Sequence, residues 1–117
     1  MQHHAFGVQT LLTRVERWQC DFNDHWNARF YARSFQMAAE TVACIDASPN
    51  PGAATTRERH MRFHRELVVG EVVEVRSARL SGGPHDGRIA HCLLGGGRLS
   101  AFAIDLPGLG AGGLPEV

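Results

Sequence analysis

Residues 18–27 read Trp18-Gln-Cys-Asp-Phe-Asn-Asp-His-Trp-Asn27, and they join a strand-like segment to a helix-like one. Within seven residues of this polar loop (residues 18–27) lie the Asp21 carboxylate, the His25 imidazole and the carboxamides of Asn23 and Asn27. The first amides of a helix lack partners within it, and the helix dipole favours negative charge there. A carboxylate beside such amides is the combination that hydrolysis of an acyl bond requires. We therefore expect the functional site at this junction.

Downstream of the polar loop, residues 26–47 follow a helical period. Apolar residues recur at steps of four and three and form one stripe: Tyr31, Phe35, Ala38, Val42 and Ile45. A second, polar face consists of Arg29, Arg33, Gln36 and Glu40. The apolar arc is widened by Phe30, Met37 and Cys44, so we expect a helix buried on more than one side. Pro49 and Pro51 end it, since proline cannot continue a helix.

Five segments have the alternation or the β-branched content of strands, and they cover residues 9–18, 57–67, 71–80, 88–94 and 99–106. The run Gly95-Gly96-Gly97 predicts a hairpin between the last two. One helix cannot cover both faces of such a sheet, but one face of a curved sheet can wrap a helix. The fold class is therefore α+β. Open sheet edges and an uncovered face lead us to expect self-association.

The size and charge of the chain exclude several classes of function. Its 117 residues predict a single domain over 1–117, with 108–117 as a flexible tail. Twelve basic residues balance twelve acidic ones, which gives no field that attracts nucleic acid or an anionic membrane. Three widely spaced cysteines predict no disulfide framework and fit a reducing cytoplasm. We recognise no signal peptide and no membrane span.

The polar loop and the helix together form a recognisable pattern, Trp18-x-x-Asp21-x-Asn23-x-His25-x-Asn27 followed by Tyr31, Phe35 and Ala38. This pattern resembles the acyl-CoA thioesterases of the hotdog fold, and among them the 4-hydroxybenzoyl-CoA thioesterase-like group. The resemblance covers the first strand and the helix closely, and the later strands only in their order. It implies one long central helix wrapped by a curved antiparallel sheet of about five strands.

The same resemblance implies an activity, which is hydrolysis of an acyl-CoA thioester to free acid and CoA. The protein would act as a dimer or a dimer of dimers, with neither nucleic acid nor membrane as a partner. CoA would be part of the substrate, so no cofactor and no metal ion are expected. His60 and His64 lie four residues apart without a third suitably spaced ligand, which argues against a zinc site.

The resemblance also assigns roles to residues of the polar loop. The acid after the first strand is the catalytic carboxylate of the family, and this is Asp21, acting as nucleophile or as general base for water. The oxyanion donor is a helix amide seven residues later, which is about Ala28. His25 and Asn27 would position the reacting group. From the residues alone, without the family pattern, Asp21 is interpreted as a turn residue. His25 has an alternative role as a partner that fixes the turn.

Candidate substrate-binding residues are Asn23, Trp26, Tyr31, Arg62 and Arg65. Trp26 would line the acyl site or lie in a dimer interface, and Asn23 has a structural alternative in holding the loop. Tyr31 is either core or pocket wall. The basic residues from Arg57 to Arg65 are the only such concentration, and they would grip the phosphates of CoA or form a solvated strand face.

Asp24 departs from the family pattern, which has glycine there, and we expect it to be the N-cap of the helix. Two other functions stay open. A hotdog hydratase or dehydratase would need an acid deeper in the helix, where Glu40 is the only one before residue 46. A non-catalytic acyl-CoA-binding module would keep the fold alone. Without a Gly-x-Ser-x-Gly elbow, a serine hydrolase triad is excluded, and Cys20 is expected in the core.

Overall fold

The computed structural model of the protein describes residues 6–45 and 56–107. Within these ranges the chain forms one helix and five strands, in the order β1 (Val8–Arg14), α1 (Ala28–Ile45), β2 (Thr56–Phe63), β3 (Val72–Arg79), β4 (Ile89–Gly95) and β5 (Arg98–Pro107). Two short 3-10 turns lie at Arg17–Gln19 and Gly83–His85. The predicted helix residues 46 and 47, the predicted helix stop around Pro49 and Pro51, and the predicted tail 108–117 lie outside the described residues.

The five strands form one antiparallel sheet in the order β1-β3-β4-β5-β2. This confirms the α+β class and the number of strands, and it leaves β1 and β2 as the edge strands. The predicted hairpin joins β4 to β5 through Gly96 (φ 57°) and Gly97 (φ 82°). Positive φ at both central residues is what a two-residue type I′ turn requires, and glycine adopts it without a steric penalty.

Helix α1 lies on one face of the sheet and packs against β1, β3 and β4. The predicted apolar stripe is buried at Tyr31, Phe35 and Ala38, and it meets the inward residues Val73, Val75, Leu93, Ala101 and Ala103. Towards the end of the helix the stripe opens, since Ile45 is exposed. The wider apolar arc is correct for Phe30 and wrong for Met37 and Cys44, which are both exposed. The described part of the helix has 18 residues and begins at Ala28, two residues later than predicted.

Two strands end earlier than predicted, and both early ends serve the polar loop. β1 stops at Arg14 because the chain then turns at Arg17–Gln19, where the Glu16 amide donates to the Gln19 side chain at 3.0 Å. β2 stops at Phe63 because the amides of His64 and Arg65 both donate to the Ser100 carbonyl. The segment after Arg65 is then free to pair with the polar loop.

No helix in the described ranges is long and apolar enough to cross a membrane. The three cysteines of the chain form no disulfide.

Candidate active site

Backbone pairing on two sides holds the polar loop at the start of α1. On one side an antiparallel bridge joins Cys20 to Trp26, and on the other a second bridge joins His25 to Val68. The Trp26 amide donates to the Leu67 carbonyl at 2.8 Å, and the Val69 amide donates to the Asp24 carbonyl at 3.1 Å. The loop is therefore fixed by the same backbone bonds that hold a sheet together, although it lies outside every strand.

Asp21 is exposed and stabilises the loop through one of its carboxylate oxygens. Its Oδ1 accepts the amides of Asn23 (2.9 Å) and His25 (3.2 Å), which is an Asx-type turn. Within the described ranges, no hydrogen bond reaches its Oδ2. The two interpretations of Asp21 are thus compatible, because one oxygen holds the turn and the other remains open to a ligand.

The first turn of α1 pairs two of its amides and leaves one open. The Asn27 side chain accepts the Arg29 amide at 3.1 Å, and the Asn27 carbonyl accepts the Phe30 amide at 2.9 Å. Asn27 is therefore the N-cap of the helix. Ala28 is the first helical residue, and its amide has no acceptor among the residues that the structure describes. An unpaired amide at a helix N-terminus is a ready hydrogen-bond donor to an anion.

Asp24 is not the helix cap, so that prediction is wrong. Its backbone has φ 60°, the left-handed region, and its carboxylate accepts a bond from Arg17 at 3.0 Å. Residues other than glycine, asparagine and aspartate rarely adopt this backbone conformation. The backbone thus explains why glycine suits this position, and why aspartate is one of the few residues that can replace it.

Asp21 and Ala28 lie together in a groove of about 560 Å³, which we call the site groove. It is lined by Asp21, Trp26, Asn27, Ala28, Tyr31, Phe63, His64, Arg65 and Glu66. Its apolar wall is a chain of rings packed edge to face, with centroids 4.8 Å apart for Trp26 and Tyr31 and 5.2 Å apart for Tyr31 and Phe63. Six of the predicted site residues therefore lie around one opening.

The ring wall of the site groove is held in place by hydrogen bonds. The Trp26 indole donates to the Gln19 side chain at 3.0 Å, and the Tyr31 hydroxyl accepts the Leu67 amide at 3.0 Å. Burial raises the pKa of Tyr31 above its usual value, although the bond from Leu67 acts in the opposite direction. Tyr31 therefore stays an uncharged ring at neutral pH, and it belongs to the core while it also lines the site groove.

Three predicted site residues lie outside the site groove. His25 does not line the groove itself, and its Nδ1 lies 2.9 Å from the carboxylate of Glu66, which does. Asn23 is exposed and contributes its amide to the Asp21 turn. Arg62 lines another groove, of about 430 Å³, beside Phe102.

Two arginines of the predicted basic row are committed to bonds within the protein. Arg65 lines the site groove but donates to Glu71 (3.2 Å) and to the Gly95 carbonyl (2.7 Å). Arg59 points under the helix and is paired with Asp105 at 2.7 Å. Alternation along β2 accounts for this direction, since Arg59 lies on the same face as Met61 and Phe63. The row is therefore not one continuous basic surface.

A polar cluster that the sequence did not predict lies buried beneath the helix. Ser77 on β3, His91 on β4 and Asp105 on β5 are at most 2% exposed. Ser77 Oγ lies 2.6 Å from His91 Nδ1, and His91 Nε2 lies 2.9 Å from Asp105 Oδ2. With Arg59, these residues form what we call the buried cluster. The signal for it is a polar residue at an inward position on each of these strands.

The buried cluster has the side chains of a serine hydrolase triad but lacks access for a substrate. Burial alone would raise the pKa of the Asp105 carboxyl, but the hydrogen bonds from Arg59 and His91 outweigh it and hold that pKa below its usual value. The carboxylate is therefore charged and fully paired. In the described parts of the chain, no group of three His, Cys, Asp or Glu side chains is placed to hold a metal ion.

Several solved structures resemble this chain. No family model matches the sequence, and a search of curated proteins finds no match. A thioesterase candidate from Pseudomonas putida superposes with a TM-score of 0.71 at 21% identity, over 85% of this chain and 70% of that one. A thioesterase from Thermus thermophilus, complexed with coenzyme A and zinc, gives 0.66 at 18%, over 92% and 84%. A hexameric thioesterase from Yersinia pestis gives 0.67 at 15%, over 85% and 88%.

Proposed function

We propose that this hotdog-fold protein is a thioesterase that hydrolyses acyl-CoA to free acid and CoA. One observation carries the proposal, which is that the site groove brings an open carboxylate oxygen of Asp21 together with the unpaired Ala28 amide. A thioester carbonyl bound there would accept the Ala28 N–H, and the helix dipole would stabilise the negative charge that develops on its oxygen. The likeness to solved thioesterases supports the fold in which this chemistry is placed.

Asp21 has two possible roles in the reaction. As a nucleophile, its Oδ2 forms a bond to the thioester carbon, the carbon–sulfur bond breaks, and the CoA thiolate leaves and takes a proton from water. Water then cleaves the mixed anhydride, which releases the acid and regenerates Asp21. As a general base, the carboxylate instead takes a proton from a water molecule as that water attacks the same carbon; the carbon–sulfur bond then breaks, and the CoA thiolate takes the proton from Asp21, which regenerates the carboxylate. Both routes use the Ala28 amide in the same way.

His25 and Asn27 are positioning residues in this scheme. Asn27 caps α1 through the Arg29 amide, which orients the first turn and therefore the Ala28 N–H. The His25 side chain pairs with Glu66, while its amide donates to Asp21. Its contribution is to fix the turn that aims the carboxylate.

The acyl group would lie against the ring wall of the site groove. Trp26, Tyr31 and Phe63 supply an apolar surface, and the hydroxyl and indole groups of that surface are already bonded elsewhere. An apolar acyl group would fit this wall, because such a group needs no hydrogen-bond partner from the side chains that it contacts. We propose in addition that the protein belongs to the 4-hydroxybenzoyl-CoA thioesterase-like group.

We also propose that the protein self-associates as a dimer or a dimer of dimers. β2 is an edge strand beside the site groove, and Phe63 on it is 51% exposed. Pairing β2 with the same strand of a second copy would satisfy its free backbone groups and cover this ring. The hexameric state of the Yersinia pestis thioesterase supports self-association as a property of such folds.

A panel of acyl-CoA substrates tests the proposal. Release of free thiol, measured with a thiol reagent, is expected for at least one acyl-CoA. Hydration of an enoyl-CoA without thiol release would instead identify a hydratase, which the structure does not favour, because Glu40 is exposed and bonded to Gln36. Tight acyl-CoA binding with neither reaction would identify a non-catalytic binding module and overturn the proposal.

A further inference from the structure

A second groove lies on the other side of Trp26 from the site groove, between β1, the turn Arg17–Gln19 and α1. Its volume is about 590 Å³. It is lined by Leu11, Thr13, Trp18, Gln19, Trp26, Arg29, Phe30, Arg33, Ser34 and Met37. We call it the arginine groove. Trp26 lines both grooves, and Arg29 in the second directly follows Ala28 in the first, so the two grooves adjoin at the start of α1.

Two arginines of this groove have no acidic partner. Arg29 holds its guanidinium 5.1 Å from the centre of the Phe30 ring, and Arg33 follows one helical turn later. Neither forms an ion pair within the described ranges, whereas Arg59, Arg65 and Arg76 each bond a carboxylate. A four-residue step along the helix separates the two by a rise of about 6 Å. Free guanidinium groups at this spacing are suited to bind the phosphates of one ligand.

The same groove presents a flat aromatic surface to solvent. Trp18 is 72% exposed, although its ring packs edge to face on Phe30, with centroids 5.5 Å apart. Because the Phe30 ring supports it from one side, the indole offers a face on which a second ring can stack. Nucleobases bind to such platforms by stacking, with charged groups nearby holding their phosphates.

We propose that the arginine groove binds the nucleotide end of CoA, with the adenine on Trp18 and the phosphates on Arg29 and Arg33. This inference rests on the proposed thioesterase function. The pantetheine arm then crosses the start of α1, and the thioester reaches Ala28 in the site groove. The assignment differs from the sequence-based prediction of Arg62 and Arg65, because Arg65 is bonded to Glu71 and Gly95.

The test compares each acyl-CoA with the matching acyl-pantetheine, which has the same thioester but no nucleotide. In the variant R29Q/R33Q, KM for acyl-CoA is expected to rise about tenfold or more, since each arginine supplies charge-assisted bonds to phosphate. Turnover of acyl-pantetheine is expected to stay unchanged. W18L should raise KM for acyl-CoA alone by a smaller factor. The control R88Q/R98Q removes the same charge outside both grooves and should change neither substrate.

Three outcomes would overturn the inference. One is an equal loss for both substrates in R29Q/R33Q, and another is a wild-type protein that does not distinguish them. The third is a selective loss in R57Q/R62Q instead, which would place the phosphates on β2. If the wild-type protein hydrolyses neither substrate, the proposed function has failed. Calorimetry with 3′,5′-ADP then decides the inference alone, and binding that R29Q/R33Q abolishes would support it, while no binding would end it.

Discussion

Asp21 in the polar loop and Asp105 in the buried cluster have opposite surroundings, although each lies near a histidine. Asp21 is exposed, bonds only to backbone amides and keeps one oxygen open. Asp105 is 1% exposed, and both of its oxygens are bonded, to Arg59 and His91. The first lies in a groove with an unpaired amide, and the second lies under a helix.

This contrast shows that residue types alone do not distinguish a candidate active site from a structural network. Catalysis needs groups that a substrate can reach and whose bonding is incomplete, as with the Asp21 carboxylate and the Ala28 amide. A polar network that is buried and fully hydrogen-bonded contributes to stability instead, since its side chains have no free donor or acceptor left for a substrate. In this chain the buried cluster also ties the helix to the sheet, because Arg59 donates to Gln36 on α1 at 3.3 Å.

The largest effect is expected for Asp21→Asn. Loss of the carboxylate should lower kcat for acyl-CoA by about a hundredfold to ten-thousandfold. The amide oxygen of asparagine can still accept the amides of Asn23 and His25, so the free energy of unfolding should change little. Steady-state kinetics and urea unfolding of one preparation measure both quantities. Full activity in the folded variant would break the distinction between the two aspartates.

The reciprocal effect is expected for Asp105→Asn, which leaves the Arg59 charge buried without its partner. We expect a loss of about 3–5 kcal/mol in the free energy of unfolding. The kcat per folded molecule should remain that of the wild-type protein, measured well below the unfolding temperature. The milder Ser77→Ala keeps the ion pair and serves as a folded control. An Asp105 variant that is stable but inactive would show that the buried cluster takes part in catalysis.

The pH dependence of stability should follow Asp105. Its pKa in the folded protein lies below the usual value of 3.8, so the carboxylate stabilises the fold above that pH. As pH falls below 3.8 and through the folded pKa, this contribution should be lost. Urea unfolding from neutral pH down to about pH 3 should therefore show the gap between wild type and Asp105→Asn closing at the acid end. A gap that is constant with pH would contradict the lowered pKa.

A smaller effect is expected at Asp24, where the backbone has φ 60°. The free energy of unfolding of Asp24→Gly should be about 1 kcal/mol higher than that of Asp24→Ala, because the Cβ of alanine is unfavourable in the left-handed region. Both variants lose the exposed contact with Arg17, so that contact cancels in the comparison. Thermal unfolding measures the difference. Equal stability of the two variants would mean that the loop does not require this conformation.

Much of the fold follows from periodicity, and the details that differ depend on distant contacts. The helix and the succession of strands along the chain could be predicted, because the hydrophobic pattern of each element has the period of its own secondary structure. The end of β2 depends on Ser100, and the backbone of Asp24 depends on pairing with Val69. The buried cluster needs the register that sets Arg59 opposite Asp105. No local pattern contains such information, because it arises only once the strands pair.

The candidate site, like the fold, could be predicted from the sequence only in part. Residue types and the dipole at the helix start pointed to the polar loop, whereas the roles of Asp21 and Ala28 came from the family resemblance. Local capping preferences assigned the N-cap to Asp24, but the backbone pairing of the loop gives that position to Asn27. The second groove was not predicted, since it forms where β1 and α1 approach each other and leave Trp18 exposed between them.

Ala28→Pro is the sharpest test of the proposed mechanism, because it removes the oxyanion donor and little else. Ala28 is the first residue of α1, where proline is well tolerated and its missing N–H breaks no helical bond. We predict a fall in kcat of about a hundredfold to a thousandfold, with an unfolding temperature equal to that of the wild-type protein. Ala28→Gly keeps the N–H and should stay active. A folded Ala28→Pro protein with wild-type turnover would contradict the mechanism.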